Sequence, residues 1–188
     1  MGAIIRVGSR RTSRRLPMKA HDIFQQLPES FAGDVFQFLY DNDKPAYRAC
    51  VQVLSNRRKL RAVILERKSR EERHLWMRNE ITRKANEDAS IEILQTWLLG
   101  AHKPMICQFL DSLKIPHNGH GLIDDLPAEP SEAAVTEAVE GLLKDYPHDA
   151  VAAYLNLFIE MDIAQWPTLE KMLSSDSRLC LAPQTPAA

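Results

Sequence analysis

The chain is poor in the patterns that announce chemistry. Its three cysteines, Cys50, Cys107 and Cys180, are far apart, odd in number and in no CxxC pair. That argues against a disulfide framework and a cysteine-based zinc site, and fits free thiols in a reducing, cytoplasmic compartment. Cys50 and Cys107 fall on apolar helical faces and read as small core residues. No run of 18 apolar residues occurs, so no membrane partner is expected. The nucleophile elbow G-x-S-x-G, the P-loop and the dinucleotide fingerprint are all missing. Gly119 and Gly121 make a bare G-x-G followed by Leu-Ile-Asp-Asp, which is no helix start for cradling a phosphate. No catalytic residue and no cofactor is assigned on this basis.

Acid is missing from one stretch. Residues up to 21 hold Arg6, Arg10, Arg11, Arg14, Arg15 and Lys19 and no carboxylate. Without an apolar core this is not a secretory signal, and Arg6 at the sixth position breaks the myristoylation pattern. Residues 1–20 read as a disordered basic arm. A transit-like peptide, or a chain that begins at Met18, are the alternatives.

What is abundant is charge, and it is segregated. Residues 1–84 carry 19 of the 24 Lys and Arg against nine acids, a net of +10, while residues 85–188 carry five against 16, a net of −11. The formal total of −1 hides this split. Without the arm, residues 18–84 still hold 14 basics and nine acids. Such polarity concerns surfaces and partners rather than fold. At 188 residues, 45% hydrophobic and 26% charged, the chain suits one ordinary globular domain with tails.

Apolar spacing is helical almost throughout. Phe31, Val35, Phe38 and Leu39 form one face, and Tyr47, Cys50, Val51 and Leu54 a second after Pro45. Ser69 and Glu72 suggest a capping box for a helix running to about Lys84. Ser90 is the expected cap of the next helix, with Ile91, Leu94 and Leu98 on one face and Gly100 at its end. Further faces follow at Ile106, Phe109, Leu110 and Leu113; at Val135, Val139, Leu142 and Leu143; at Val151, Tyr154, Leu155, Phe158 and Ile159; and at Leu169, Met172 and Leu173. Residues 62–65 (AVIL) fit either a buried helical turn or a short strand. Asn118 and Gly119 signal a hairpin, so a small β-ribbon near 115–123 is allowed. The expected fold is all-α, with seven to nine helices in antiparallel αα-hairpins stacked as a compact bundle or short superhelix. Asp124, Asp125, Pro127 and Pro130 mark a loop dividing a main body, 21–126, from a C-terminal helical segment, 127–180, packed on it. Residues 181–188 form a disordered tail.

A faint repeat supports the hairpins. Laid over residues 24–60, residues 143–179 bring Pro147 onto Pro28, Asp162 onto Asp43 and Leu173 onto Leu54. Between them, Lys103 and Pro104 echo Lys44 and Pro45. Stacked hairpins could bury apolar faces that one alone cannot.

Residues 57–84 are the candidate interaction surface, with 11 basics against four acids. Arg57, Arg58, Arg61, Arg70, Arg73, Arg78 and Lys84 are the cations of interest, and Trp76 is the aromatic among them. Forked arginines suit phosphate or carboxylate, and an exposed aromatic suits a base or a partner's pocket. On one helix, Arg70, Arg73 and Lys84 would line a stripe. The segment could equally be a solvated face laced by pairs such as Glu66–Arg70 and Glu80–Lys84, or could dock on the acidic half in cis or across a dimer. Trp97 and Trp166 read as core. His117 and His120, with Asp124 and Asp125 nearby, carry metal-ligand chemistry, but a loop H-x-x-H does not align two imidazoles as a helical H-E-x-x-H does.

These observations point to a non-enzymatic helical interaction or adaptor module, with a protein partner or self-association through complementary charge. Nucleic-acid association, RNA in particular, through the basic segment is the first alternative. A metal-dependent enzyme in the 117–125 loop is the second.

Overall fold

A computed structural model describes residues 18–123, 127–161 and 166–181. Residues 1–17, and with them most of the basic arm, lie outside the described residues, as do Asp124, Asp125 and most of the C-terminal tail. The described residues are all-α, with ten helices and one 3-10 turn, one helix more than the upper expectation. They are α1 (Ala20–Gln26), α2 (Glu29–Asn42), α3 (Lys44–Arg58), α4 (Ala62–Glu66), α5 (Arg70–Ile81), α6 (Glu87–Ala101), α7 (Lys103–Ser112), α8 (Glu132–Asp145), α9 (His148–Met161) and α10 (Pro167–Ser175). The 3-10 turn spans Lys84–Asn86.

Local chemistry sets most of these ends. Asp43 caps α3 by accepting from the Ala46 amide at 3.0 Å, with Pro45 in the first turn. Ser69 caps α5 through the Glu72 amide at 3.2 Å, and Ser131 caps α8 through the Ala134 amide at 3.3 Å. α5 stops at Ile81 because its last carbonyls are taken from outside. Asn86 Nδ2 donates to the Glu80 carbonyl at 2.6 Å and Ser90 Oγ to the Ile81 carbonyl at 2.9 Å. The expected helix to Lys84 is therefore corrected: Arg83 is extended, and Lys84 opens the 3-10 turn. Ser90 is no cap either. α6 begins three residues earlier, and buried Ser90 ties its first turn to the end of α5.

Two layers of packing follow. α2 lies against α3, α5 and α6, with Phe24 stacked on Phe36 at 6.2 Å and Phe31 edge-on to Trp97 at 4.8 Å. The buried face of α6 includes Leu94 and Leu98 of the expected row together with Ile93 and Trp97, while Ile91 of that row is half-buried against the core. α7 packs on α8, α8 on α10 and α9 on α10, around Phe109, Tyr154, Phe158 and Trp166. Trp97 and Trp166 are core, as expected. Helix α1, which the sequence analysis did not foresee, crosses between the layers and touches α5, α6 and α9.

Residues 62–65 resolve into the short helix α4. No ribbon forms over 115–123. Asn118 Oδ1 instead accepts the amides of His120 at 2.9 Å and Leu122 at 3.3 Å, a side-chain-closed turn. Gly121, at φ +81°, sits where a Cβ would come within 2.6 Å of Ile106 Cγ2, so only glycine fits. The loop ahead of α8 is built into the fold. The Glu129 carboxylate accepts the Thr168 and Leu169 amides at 2.8 and 3.1 Å, capping α10, and Trp166 Nε1 donates to the Pro127 carbonyl at 3.3 Å.

Candidate interaction surface on α3 to α5

The basic segment folds back on itself as α3, α4 and α5, and this scatters its cations. Arg70 leaves α5 toward α2, where Nη1 donates to Gln37 Oε1 at 3.1 Å and the guanidinium lies 4.4 Å over the Tyr40 ring. Arg73 turns toward α4 and donates to the Glu66 carbonyl at 3.2 Å. Arg78 reaches the end of α1: Nη2 donates to the carbonyls of Gln25 and Leu27 at 3.4 and 3.1 Å, and Nη1 to Glu29 at 3.1 Å. The expected stripe of Arg70, Arg73 and Lys84 is thus absent, since Lys84 is off the helix and the two arginines point to different elements.

Arg57 and Arg83 form ion pairs at 3.8 and 3.0 Å with Glu80, a carboxylate almost wholly buried beneath them. The expected pairs Glu66–Arg70 and Glu80–Lys84 are replaced by Lys68–Glu72 at 2.9 Å and Arg83–Glu80. Arg58 and Lys68 lie over the Trp76 ring at 4.0 and 5.2 Å from its centroid, so the half-buried indole already holds two cations. The side-chain partners named here all fall within residues 25–80, while the end of α5 is tied to α6 of the acidic half through Ser90 Oγ on the Ile81 carbonyl at 2.9 Å. Arg61, Arg67 and Lys84 are exposed and have no partner among the described residues.

Two features escaped the sequence analysis. Four large apolar side chains are left exposed among the described residues, and three of them, Val63 at 50%, Ile64 at 43% and Leu75 at 42%, belong to α4 and α5. An adjacent apolar pair in a run of four gives no periodicity to show which members face water. The second feature is a groove of about 470 Å³ between α2 and α5, lined by Gly33, Asp34, Glu71, His74 and Leu75 among others. Arg70 with Gln37 bridges it at one end and Arg78 with Glu29 at the other. Gly33 sits in mid-helix with open space where a Cβ would stand. His74, held between the Phe36 and Tyr47 rings, has its pKa pushed down to about 4 by burial and by Arg73 and Arg70. Its Nε2 and the Tyr47 hydroxyl are both buried without a partner.

The other sites read from the sequence are dispersed. His117 Nε2 binds Asp111 at 3.0 Å, while His120 Nδ1 meets Lys103 Nζ at 2.9 Å. Among the described residues no group of three His, Cys, Asp or Glu side chains is placed to hold a metal ion. Cys50 is buried, with its thiol pushed up to about 12 by desolvation, and is unreactive; Cys107 is only half-buried. No helix of the described residues is long and apolar enough to cross a membrane.

No protein-family model matches the chain, and no curated protein or solved structure matches it.

Proposed function

We propose that this chain is a non-enzymatic, cytoplasmic interaction module that receives an acidic, partly apolar segment of a partner protein on α4 and α5. The observation that carries the reading is the coincidence of exposed Val63, Ile64 and Leu75 with Arg61 and Arg67, cations without a partner among the described residues, in one segment. Exposed apolar side chains rimmed by charge favour a partner over water. Leu75 also lines the α2–α5 groove, which gives such a segment room beside Gly33. Residues 21–126 act as the receiving body, with the C-terminal helical segment 127–180 beside it. The helix pairs α2–α3, α6–α7 and α9–α10 read as copies of one hairpin. Shifted by 119 residues α9 covers α2 end to end, and shifted by 59 α6 covers it to within one residue.

RNA association through the same cations is the second reading, favoured by Arg61, Arg67 and Lys84, which are exposed and have no partner among the described residues. Against it stand the acidic half, and Trp76, which holds Arg58 and Lys68 rather than an open face for a base. The test titrates a labelled helical peptide, with Glu and Leu at i, i+3 and i+4 spacing, and a single-stranded RNA of equal charge. The peptide is expected to bind, and Leu75→Asp to weaken it at least tenfold. Tighter binding of RNA, with indifference to Leu75→Asp, would transfer the surface to the second reading. Binding of neither would end both.

A further inference from the structure

Helix α1 carries a concentrated set of buried polar contacts at the end opposite the one that Arg78 of the basic segment grips. It buries Ala20, Ile23, Phe24 and Leu27 completely. Yet its own sequence provides no side-chain cap, because Lys19 stands at the N-cap position. Another helix supplies the cap. Glu87, the first residue of α6, accepts the Ala20 amide at 2.9 Å and the His21 amide at 3.2 Å, and the same carboxylate meets His21 Nδ1. The far nitrogen of that imidazole pairs with Asp22 at 3.3 Å. From α9, Glu160 accepts Lys19 Nζ at 2.9 Å.

Glu160 is the unusual member. Its side chain is only 4% exposed, and Oε2 is fully buried with no donor to satisfy it among the described residues. An ionised oxygen left so would be costly. The group beside it is Glu87: the two carboxylates hold consecutive positions at the start of α1, Glu160 at Lys19 (2.9 Å) and Glu87 at the Ala20 and His21 amides (2.9 and 3.2 Å), so the charge of Glu87 acts on Glu160. Two carboxylates cannot bond each other; a carboxyl and a carboxylate can. Lys19 and His21 from α1 are the charged or titratable groups facing the pair, and Arg78 of α5 grips the opposite end of α1 at Gln25 and Leu27.

We infer that α1 is a proton-held clasp: a single proton shared by Glu87 and Glu160 fastens its first turn to α6 and α9, and gain or loss of a proton at the pair releases it. This inference is independent of the function proposed above. Two limbs of pH dependence follow. Burial pushes the Glu160 carboxyl above the usual carboxylate range, with the Glu87 charge adding to this. Its contribution to docking is therefore present at low pH and lost as pH rises through that raised value. Burial acts the same way on Glu87, but the bonds from His21 and the two backbone amides outweigh it and hold that carboxyl low. Its contribution is present above the ordinary value and lost as pH falls through the lowered one. Docking of α1 should thus be greatest between the two.

Hydrogen–deuterium exchange of residues 20–24 in the full chain, expressed as protection factors across pH, tests this. The expected profile is bell-shaped, with protection falling about tenfold per pH unit on the upper limb until global opening or complete release sets the floor. Glu160→Gln places an amide where the proton sat and should abolish the upper limb while sparing the lower. Carbon-13 NMR of the wild-type glutamate carboxyls should show one group titrating above the usual range and one below it. A flat wild-type profile, an upper limb that survives in Glu160→Gln, or two ordinary glutamate titrations would each overturn the clasp.

Discussion

The basic segment and the α1 junction use charge in opposite ways. Along α3 to α5 the cations are many and mostly exposed; several meet a carbonyl, an amide, a carboxylate or an aromatic face, and Arg61, Arg67 and Lys84 meet no partner among the described residues. At α1 the charges are few, but Lys19, His21, Glu87 and Glu160 converge with two backbone amides on one partly buried point. Exposed pairs contribute about 0–1 kcal/mol each. Breaking a buried set costs far more, because the groups left behind are unsatisfied. The lesson is that the region with more charge is not the region where charge holds the fold. The basic segment has cations to spare for a partner, and the junction has none.

The sharpest way to break this comparison is Glu87→Ala. It strands two amides and an imidazole, and should cost about 3 kcal/mol in urea unfolding. If it costs no more than Lys68→Ala, which breaks the exposed pair with Glu72 and is expected at under about 1 kcal/mol, the two regions are energetically alike and the comparison fails. His74 gives the next effect, from beneath the basic surface. Its folded pKa of about 4 lies below the ordinary value of 6.5, so the unfolded chain takes the proton first. Stability is complete above about pH 6.5 and should fall by roughly 2–3 kcal/mol as pH drops toward 4. Thermal melts of His74→Gln across that window should lack this fall.

Arg78 belongs to both regions, since it sits on α5 and closes the last carbonyls of α1. Arg78→Ala should therefore fall between, at about 1–2 kcal/mol, and a value near zero would detach α5 from the junction. The smallest effect is the most informative about function. Arg61→Glu combined with Arg67→Glu should change stability by no more than about 0.5 kcal/mol, while weakening the acidic peptide at least tenfold. A large loss of stability would show that these side chains support the fold rather than a partner.

How much could be read in advance follows from the range of each interaction. Faces such as Val151, Tyr154 and Leu155 on α9 are written within a dozen residues, and periodicity finds them. So are caps like Asp43 and Ser69. The end of α5 was misjudged because its last carbonyls are closed by Asn86 and Ser90, beyond the helix itself. α1 was missed because its seven residues hold one turn of apolar pattern, and its cap lies 67 residues on. The candidate surface was legible as composition and illegible as geometry. Counting found the cations; only folding shows that Arg70, Arg73 and Arg78 are engaged while Arg61 and Arg67 have no partner among the described residues.

The stretch of chain ahead of α8 has a practical consequence for anyone who would cut or lengthen the molecule there. Proline-rich and polar, it resembles a spacer into which a tag or reporter could be spliced. But Glu129 closes the start of α10, and Pro127 receives the indole of Trp166. A fragment starting at residue 131 would leave its final helix uncapped and its most buried tryptophan without a hydrogen-bond acceptor. Split reporters and circular permutants opened in this stretch should fail to reassemble, whereas the turn at Gly119, exposed and with empty space around its Cα, should accept them.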